Sequence, residues 1–185
     1  MKASDFVIIG GGPGGIAAAI KAAQAGVNVT LLDENERPGG QVFRQFEKGF
    51  KVAESDALGP DFQEGQDLLH QFSSMQDKIR YLNNTLVWGI FEDRTLALAR
   101  NGTSSSLSFK HLLVATGAYD RPVPFPGWTL PGVFTAGGAQ KLIKSERVFP
   151  GQNILLAGTG PLQLVLADQI LKRLASDYAS EMPSL

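Results

Sequence analysis

The 185-residue chain contains no cysteine. That one absence removes disulfide cross-links, thiolate metal sites, cysteine-ligated iron–sulfur clusters, a redox-active Cys-x-x-Cys pair and any cofactor attached through sulfur. Histidine is almost as scarce. His70 and His111 are the only 2, too few for a His-rich metal centre. Neither lies in a motif, so surface or capping roles are expected of both. No apolar run is long enough to span a bilayer. An excess of one charge sign is also missing: 17 basic and 18 acidic residues leave a formal net charge of −1. That balance selects neither nucleic acid nor an anionic membrane as a partner. The N-terminal apolar run follows Lys2 and Asp5 and enters a Gly-rich turn, which reads as a strand and not a signal peptide. A soluble, cytoplasmic protein is expected, with no nucleic-acid partner and no metal.

The chain does have a core and many glycines. Hydrophobic residues make up 43%, enough for a packed interior, and glycine occurs 21 times. The length suggests one ordinary domain with a fragment of another. Phe6–Ile9 is a short continuous apolar run, as in a central parallel strand. It meets "GGGPGG", then an Ala-rich helix over Ile16–Ala25 closed by Gly26, then a second strand in "VNVTLLD". This β–α–β order implies a parallel sheet. Further on, "FKVAESDALGP" has no period and reads as surface. Phe62–Ile79 reads as an amphipathic helix with Leu68, Leu69, Phe72, Met75 and Ile79 on one face. "TLVWGIF" is a strand. Alternation on both sides of Asn101-Gly102 signals a hairpin that ends in the buried run Leu112–Ala115. A proline-dense segment, a short helix over Ala136–Lys144 and the linker "SERVFPGQ" lead to "NILLAGTGPLQ". That last stretch reads as a strand over Asn153–Ala157, a Gly-rich turn, and a helix over Pro161–Ala175.

The first turn has the spacing Gly10-x-Gly12-x-x-Gly15 directly between a strand and a helix. Gly10 permits a tight turn, Gly12 lets the backbone approach a pyrophosphate, and Gly15 lets helix and strand pack closely. The helix N-terminus turns free N–H groups and a positive dipole end toward phosphates. Asp33 ends the second strand roughly 20 residues on, where an acid hydrogen-bonds a ribose hydroxyl. Glu34 is the competing acid; Asp33 is favoured because it closes the alternating strand.

Three stretches carry a resemblance: this fingerprint, "RPGGQ" at Arg37–Gln41, and "LLVATGAYDRPVPFPG". Together they resemble the FAD domain of the two-dinucleotide-binding flavoproteins, which include glutathione and thioredoxin reductases. More narrowly, "ATGAYDRPVPFPGWTLPGVFTAGGAQKL" followed by "LLAGTGPLQL" is similar to the FAD subunits of opine oxidase, hydrogen cyanide synthase and hydroxyproline dehydrogenase, up to about Leu174. The resemblance implies FAD as cofactor and oxidation of a C–N bond in an amino-acid-like small molecule, an opine or a similar amine. Hydride would pass to the flavin and on to a partner subunit or another acceptor. It implies that Gly10, Gly12, Pro13, Gly14 and Gly15 face the pyrophosphate and that Asp33 meets the ribose. Gly40, Gln41 and Arg44 would line the FAD loop, with Val87 meeting adenine through its backbone. Ala115, Thr116 and Gly117 would close the site. Arg44 is either a phosphate contact or a solvated loop arginine, and Val87 either that contact or a plain core valine.

Other residues that draw the eye have plainer readings. Asp120 and Arg121 are neighbours in an extended segment, point opposite ways, and are expected to hold the proline-rich loop. Trp88 and Trp128 are expected to pack in the core or a loop. No catalytic acid, base or nucleophile is identifiable.

The second turn, Gly158-x-Gly160, has Gln163 where a third glycine would stand. That argues against NAD(P)H as the electron partner. No second strand with a terminal acid follows. The expected architecture is α/β: a Rossmann-type parallel sheet with a small β-meander at residues 1–150, and at 151–185 the truncated start of a second Rossmann unit. A fragment, a truncated gene product, and a half completed by a partner subunit or by self-association all remain open. So do two alternative functions: an NAD(P)H-dependent flavin reductase and a non-catalytic nucleotide-binding fragment.

Overall fold

The computed structural model describes residues 4–43, 45, 60–146 and 148–181. The aperiodic stretch from Phe50 and the candidate phosphate contact Arg44 lie outside the described residues. The described chain divides between Ala118 and Tyr119 into two compact units, each considered by itself below.

The first unit is built on a six-stranded sheet of order β3-β2-β1-β6-β5-β4. β1 (Ser4–Ile9) forms where the apolar run is unbroken, and Val7 and Ile8 are fully buried on its two faces. It pairs in parallel with β2 (Val29–Leu32), Phe6 opposite Val29 and Ile9 opposite Leu32. Between them runs α1 (Pro13–Gln24), with proline in its first turn, where a missing N–H costs nothing. Ile16, Ala19, Ile20 and Ala23 make one helical stripe and pack on Ile8, Val29 and Leu31. The small alanines bring the helix backbone close to the sheet.

α2 (Pro60–Ser73) covers the same face through Leu69 and Phe72, each worth about 1.5–3 kcal/mol on burial. It ends short of the expected Ile79. Ser73 Oγ donates to the Leu69 carbonyl (2.9 Å) and Ser74 Oγ to the Gln71 carbonyl (2.7 Å), and the chain turns at Met75. Ile79 instead opens β3 (Ile79–Leu82), an edge strand parallel to β2 that the helical spacing had concealed.

β4 (Thr85–Phe91), β5 (Thr95–Arg100) and β6 (Thr103–Val114) form the expected meander, with a two-residue turn at Asn101 and Gly102, both at positive φ (50° and 75°). A bulge interrupts β4 between Val87 and Gly89. β6 belongs to both parts of the sheet. Its first half pairs antiparallel with β5 and its second half parallel with β1. Leu96, Leu98 and Leu107 from the meander pack with Val7, Leu32 and Leu82 on the second face of the parallel strands. The run at the end of β6 is less buried than its composition suggests. Leu112 and Leu113 are half-buried and Val114 is 57% exposed.

The second unit contains α3 (Ala136–Lys141), a π-helical turn (Leu142–Glu146) and α4 (Pro161–Glu181), which is longer than expected. Ala139 and Ile143 pack on Leu166 and Ile170. Asn153–Ala157 is not a strand, and Leu155 there is 90% exposed. A parallel strand needs neighbours for its backbone groups, and none lies beside this segment among the described residues.

Candidate functional site

The chain leaves β1 at Gly10, whose φ of +109° only glycine adopts without strain. A Cβ here would also run into the Ala115 carbonyl. The turn is pinned from both neighbouring strands. Gly10 N donates to Leu32 O (2.8 Å), and Ala115 N donates to Ile9 O (2.8 Å). Gly12 caps α1 with no side-chain hydrogen bond, and no acidic residue stands in the first helical turn. A Cβ on Gly15 would collide with the Gly10 carbonyl, so helix and turn can be this close only with glycine there. Gly14 is exposed, and a Cβ on it would meet nothing within 4 Å. The positive end of α1 therefore faces open space with uncapped N–H groups.

Two further segments close on this turn. Gly39 N donates to Gly11 O (2.7 Å), and Gly40 lies so near Gly12 that a Cβ would stand 2.8 Å from the Gly12 Cα. Gln41 Nε2 then donates to the Ala118 carbonyl (3.0 Å), tying the loop after Gly40 to the end of the Ala115–Thr116–Gly117 segment. Thr116 and Gly117 are exposed. The structure thus brings Gly10, Gly12, Pro13, Gly14, Gly15, Gly40, Gln41, Ala115 and Asp33 around one helix end.

Asp33 is buried, and its carboxylate is extensively hydrogen-bonded. Gly11 N donates to Oδ2, while Asn35 N (2.7 Å) and Asn35 Nδ2 (2.9 Å) both donate to Oδ1. A carboxylate has about four acceptor positions, and these three bonds occupy one on Oδ2 and two on Oδ1. Glu34 beside it is exposed. Tyr81 lies edge-on to Phe72 (5.5 Å between centroids), and its buried hydroxyl has no hydrogen-bond partner among the described residues. Burial, with the Asp33 charge adding to it, pushes its phenol above the usual tyrosine range.

Sequence reading missed two members of this cluster. Gly11 occupies a variable position of the fingerprint, yet a Cβ there would strike the Asp33 carboxylate. Gly39 supplies the bond to Gly11. The run of three glycines and the doublet were the only signals, and they gain meaning only once the two loops are seen to touch. Val87 is half-buried, its side chain on the Leu98 cluster. Asp120 accepts from Gly137 N (2.6 Å), holding the proline-rich loop to the start of α3. Trp88 does not pack in the core. It is 59% exposed, edge-on to Phe91, on the open face of β4. Trp128 is also exposed, and so are both histidines.

A parallel sheet, a glycine turn at its carboxyl edge, an uncapped helix end and an acid closing the next strand define a dinucleotide-binding α/β protein. The chain belongs to the pyridine nucleotide-disulphide oxidoreductase family, whose model matches residues 4–178. It is 39% identical over 175 residues to an opine oxidase subunit of Agrobacterium tumefaciens, covering 90% of this chain and 34% of that protein. It is 42% identical over 166 residues to the hydrogen cyanide synthase subunit HcnB of Pseudomonas aeruginosa, covering 89% and 35%. The solved structure of L-proline dehydrogenase from P. horikoshii has the same fold over 94% of this chain and 34% of its own, with a TM-score of 0.73 at 24% identity. The chain thus spans about a third of the length of the curated relatives it matches. No described helix is long and apolar enough to cross a membrane.

Proposed function

We propose that the chain is the N-terminal part of an FAD-dependent oxidoreductase subunit that oxidises a C–N bond of an amino acid, opine or similar amine. One observation carries the cofactor reading: the uncapped end of α1, flanked by Asp33 and crossed by Gly39–Gly40, leaves a space bounded by backbone N–H groups. That space suits a pyrophosphate, with the ribose next to Asp33. Gly12, Pro13, Gly14 and Gly15 would face the phosphates, Gly40 and Gln41 the flavin side, and Ala115, Thr116 and Gly117 the opposite wall. Val87 would meet the adenine with its backbone. Bound flavin would supply the hydride acceptor; the chain's own residues bind it, orient it and shield it from water. In this reading residues 1–150 are the FAD domain and 151–185 open a second Rossmann unit. The relatives are named as subunits, which supports a partner subunit or self-association that completes the fold.

An NAD(P)H-dependent reductase is the weaker reading. Gln163 stands at the third position of the second turn, and its Nε2 donates to the Ala157 carbonyl (2.5 Å), directly over Gly158. The amide fills the room that a pyrophosphate would need.

The visible spectrum of the purified chain with added FAD tests the proposal. A bound, shifted flavin band bleached by an opine or hydroxyproline but not by NADH is the expected result. A colourless chain that takes up no FAD overturns it.

A further inference from the structure

On the meander side of the sheet a cleft of about 230 Å³ opens between edge strand β3, the start of β4 and the β5–β6 hairpin. Two of its lining residues, Leu82 and Thr85, are hydrogen-bonded through their backbones to Asp33 (3.0 and 2.8 Å). Its floor is apolar, formed by the buried Leu82 and Leu98. Arg80, Arg100, Thr103 and Ser105 stand around it, and no carboxylate lines it. Two arginines and no carboxylate give the lining of the cleft a net positive charge.

Arg100 is held in place without being neutralised. Its Nε donates to the Asn83 carbonyl and its Nη2 to Asn83 Oδ1, both at 3.0 Å. Asn83 is fixed in turn, its Nδ2 donating to the Glu36 carbonyl (3.0 Å). All these acceptors are neutral oxygens, so the full positive charge stays on Arg100, and among the described residues its hydrogen bonds run through Nε and Nη2 only. Arg80, exposed on β3, has no carboxylate partner among the described residues. A guanidinium pre-set by neighbours loses little freedom on binding, and its planar fork matches oxyanions.

We propose that Arg80 and Arg100, with the hydroxyls of Thr103 and Ser105, form an anion site that contains no residue of the glycine turn, taking a small oxyanion such as a phosphate or carboxylate group. Arg100 is the fixed anchor and Arg80 the arm that closes on the ligand. The apolar floor strengthens both charge-assisted bonds by excluding water beneath them.

Titration of the full chain with inorganic phosphate, and separately with acetate, tests this by NMR. Resonances of Arg100 Nε–H and the Thr103 amide are followed with ADP present to occupy the glycine turn. Because the readout is at Arg100, its outcome is separate from whether the glycine turn binds nucleotide. Saturable shifts there are expected, weakened by about tenfold in Arg80→Gln. Saturation by phosphate alone assigns a phosphate ligand, by acetate alone a carboxylate, and by both the shared oxyanion chemistry. No saturable shift at Arg100 and Thr103, or an affinity unchanged in Arg80→Gln, overturns the proposal.

Discussion

Asp33 shows how one side chain can serve both fold and site. Its carboxylate holds Gly11 on one side and Asn35 on the other, so it fixes the first turn before any ligand arrives. Asp33→Asn replaces one acceptor with an N–H₂ group that must face a backbone N–H. A loss of about 1–3 kcal/mol is expected, read as a lower urea midpoint at unchanged slope. Glu34→Gln, at an exposed position, should lower that midpoint less, because an exposed charged contact contributes only about 0–1 kcal/mol. Nucleotide affinity separates the two acids: Asp33→Asn should weaken ADP binding more than Glu34→Gln does, and the reverse order would make Glu34 the ribose acid. Tyr81 makes a different demand. Its phenol is neutral when protonated, and burial raises its folded pKa above the unfolded value of about 10. Its contribution to stability is therefore complete below the unfolded value and is lost as pH rises through the folded one. The thermal midpoint of the wild-type chain should fall more between about pH 9 and 11 than that of Tyr81→Phe. Parallel curves would show that the Tyr81 phenol has the same pKa folded as unfolded, so that burial does not raise it.

At the scale of elements, the β1–turn–α1 unit turns on which glycines are crowded. A Cβ on Gly15 meets the Gly10 carbonyl, while a Cβ on Gly14 meets nothing. Gly15→Ala must push the helix off the strand, at about 1–3 kcal/mol. Gly14→Ala should leave the thermal midpoint unchanged or raise it, since alanine is the better helix former by up to about 1 kcal/mol. Scanning calorimetry of the two variants checks the pair. The glycine turn was legible in the sequence because spacing alone encodes it, and the Asn101-Gly102 hairpin because that turn demands those residue types. β3 was not: a four-residue edge strand with Arg80 exposed shows too little alternation, and Ile79 continued a helical stripe that Ser73 and Ser74 end through their own backbone bonds. Asn153–Ala157 failed in the opposite direction. Its composition suits a buried strand, but a strand is made by its neighbours, and composition does not supply them. Within the site, Gly11 was invisible for a related reason and Gly39 was legible only as half of the doublet in "RPGGQ", because their roles are contacts between loops distant in sequence.

At the scale of the whole molecule, the hydrophobic interior is divided. Two clusters, centred on Ile8–Leu31–Phe72 and on Val7–Leu96–Leu107, lie on the faces of the sheet. A third, Ala139–Ile143–Leu166–Ile170, belongs to the second unit and shares no residue with the other two. Small cores are marginal because entropy consumes most of what burial contributes. In the second unit that burden falls on few side chains, and Leu166 is 2% exposed while Leu164, two positions earlier on α4, is 76% exposed. Leu166→Ala should therefore cost about 2–5 kcal/mol locally, whereas Leu164→Ala should stay within about 0.5 kcal/mol. Amide hydrogen exchange gives the decisive readout, because it resolves each element. Leu166→Ala should speed exchange in α3 and the first turns of α4 and leave β1 and β2 protected. Faster exchange spreading equally into β1 and β2 would mean that the three clusters unfold as one. If protection in the sheet is retained, the dinucleotide turn keeps its geometry when the second unit is loosened. ADP affinity in Leu166→Ala should then match the wild type.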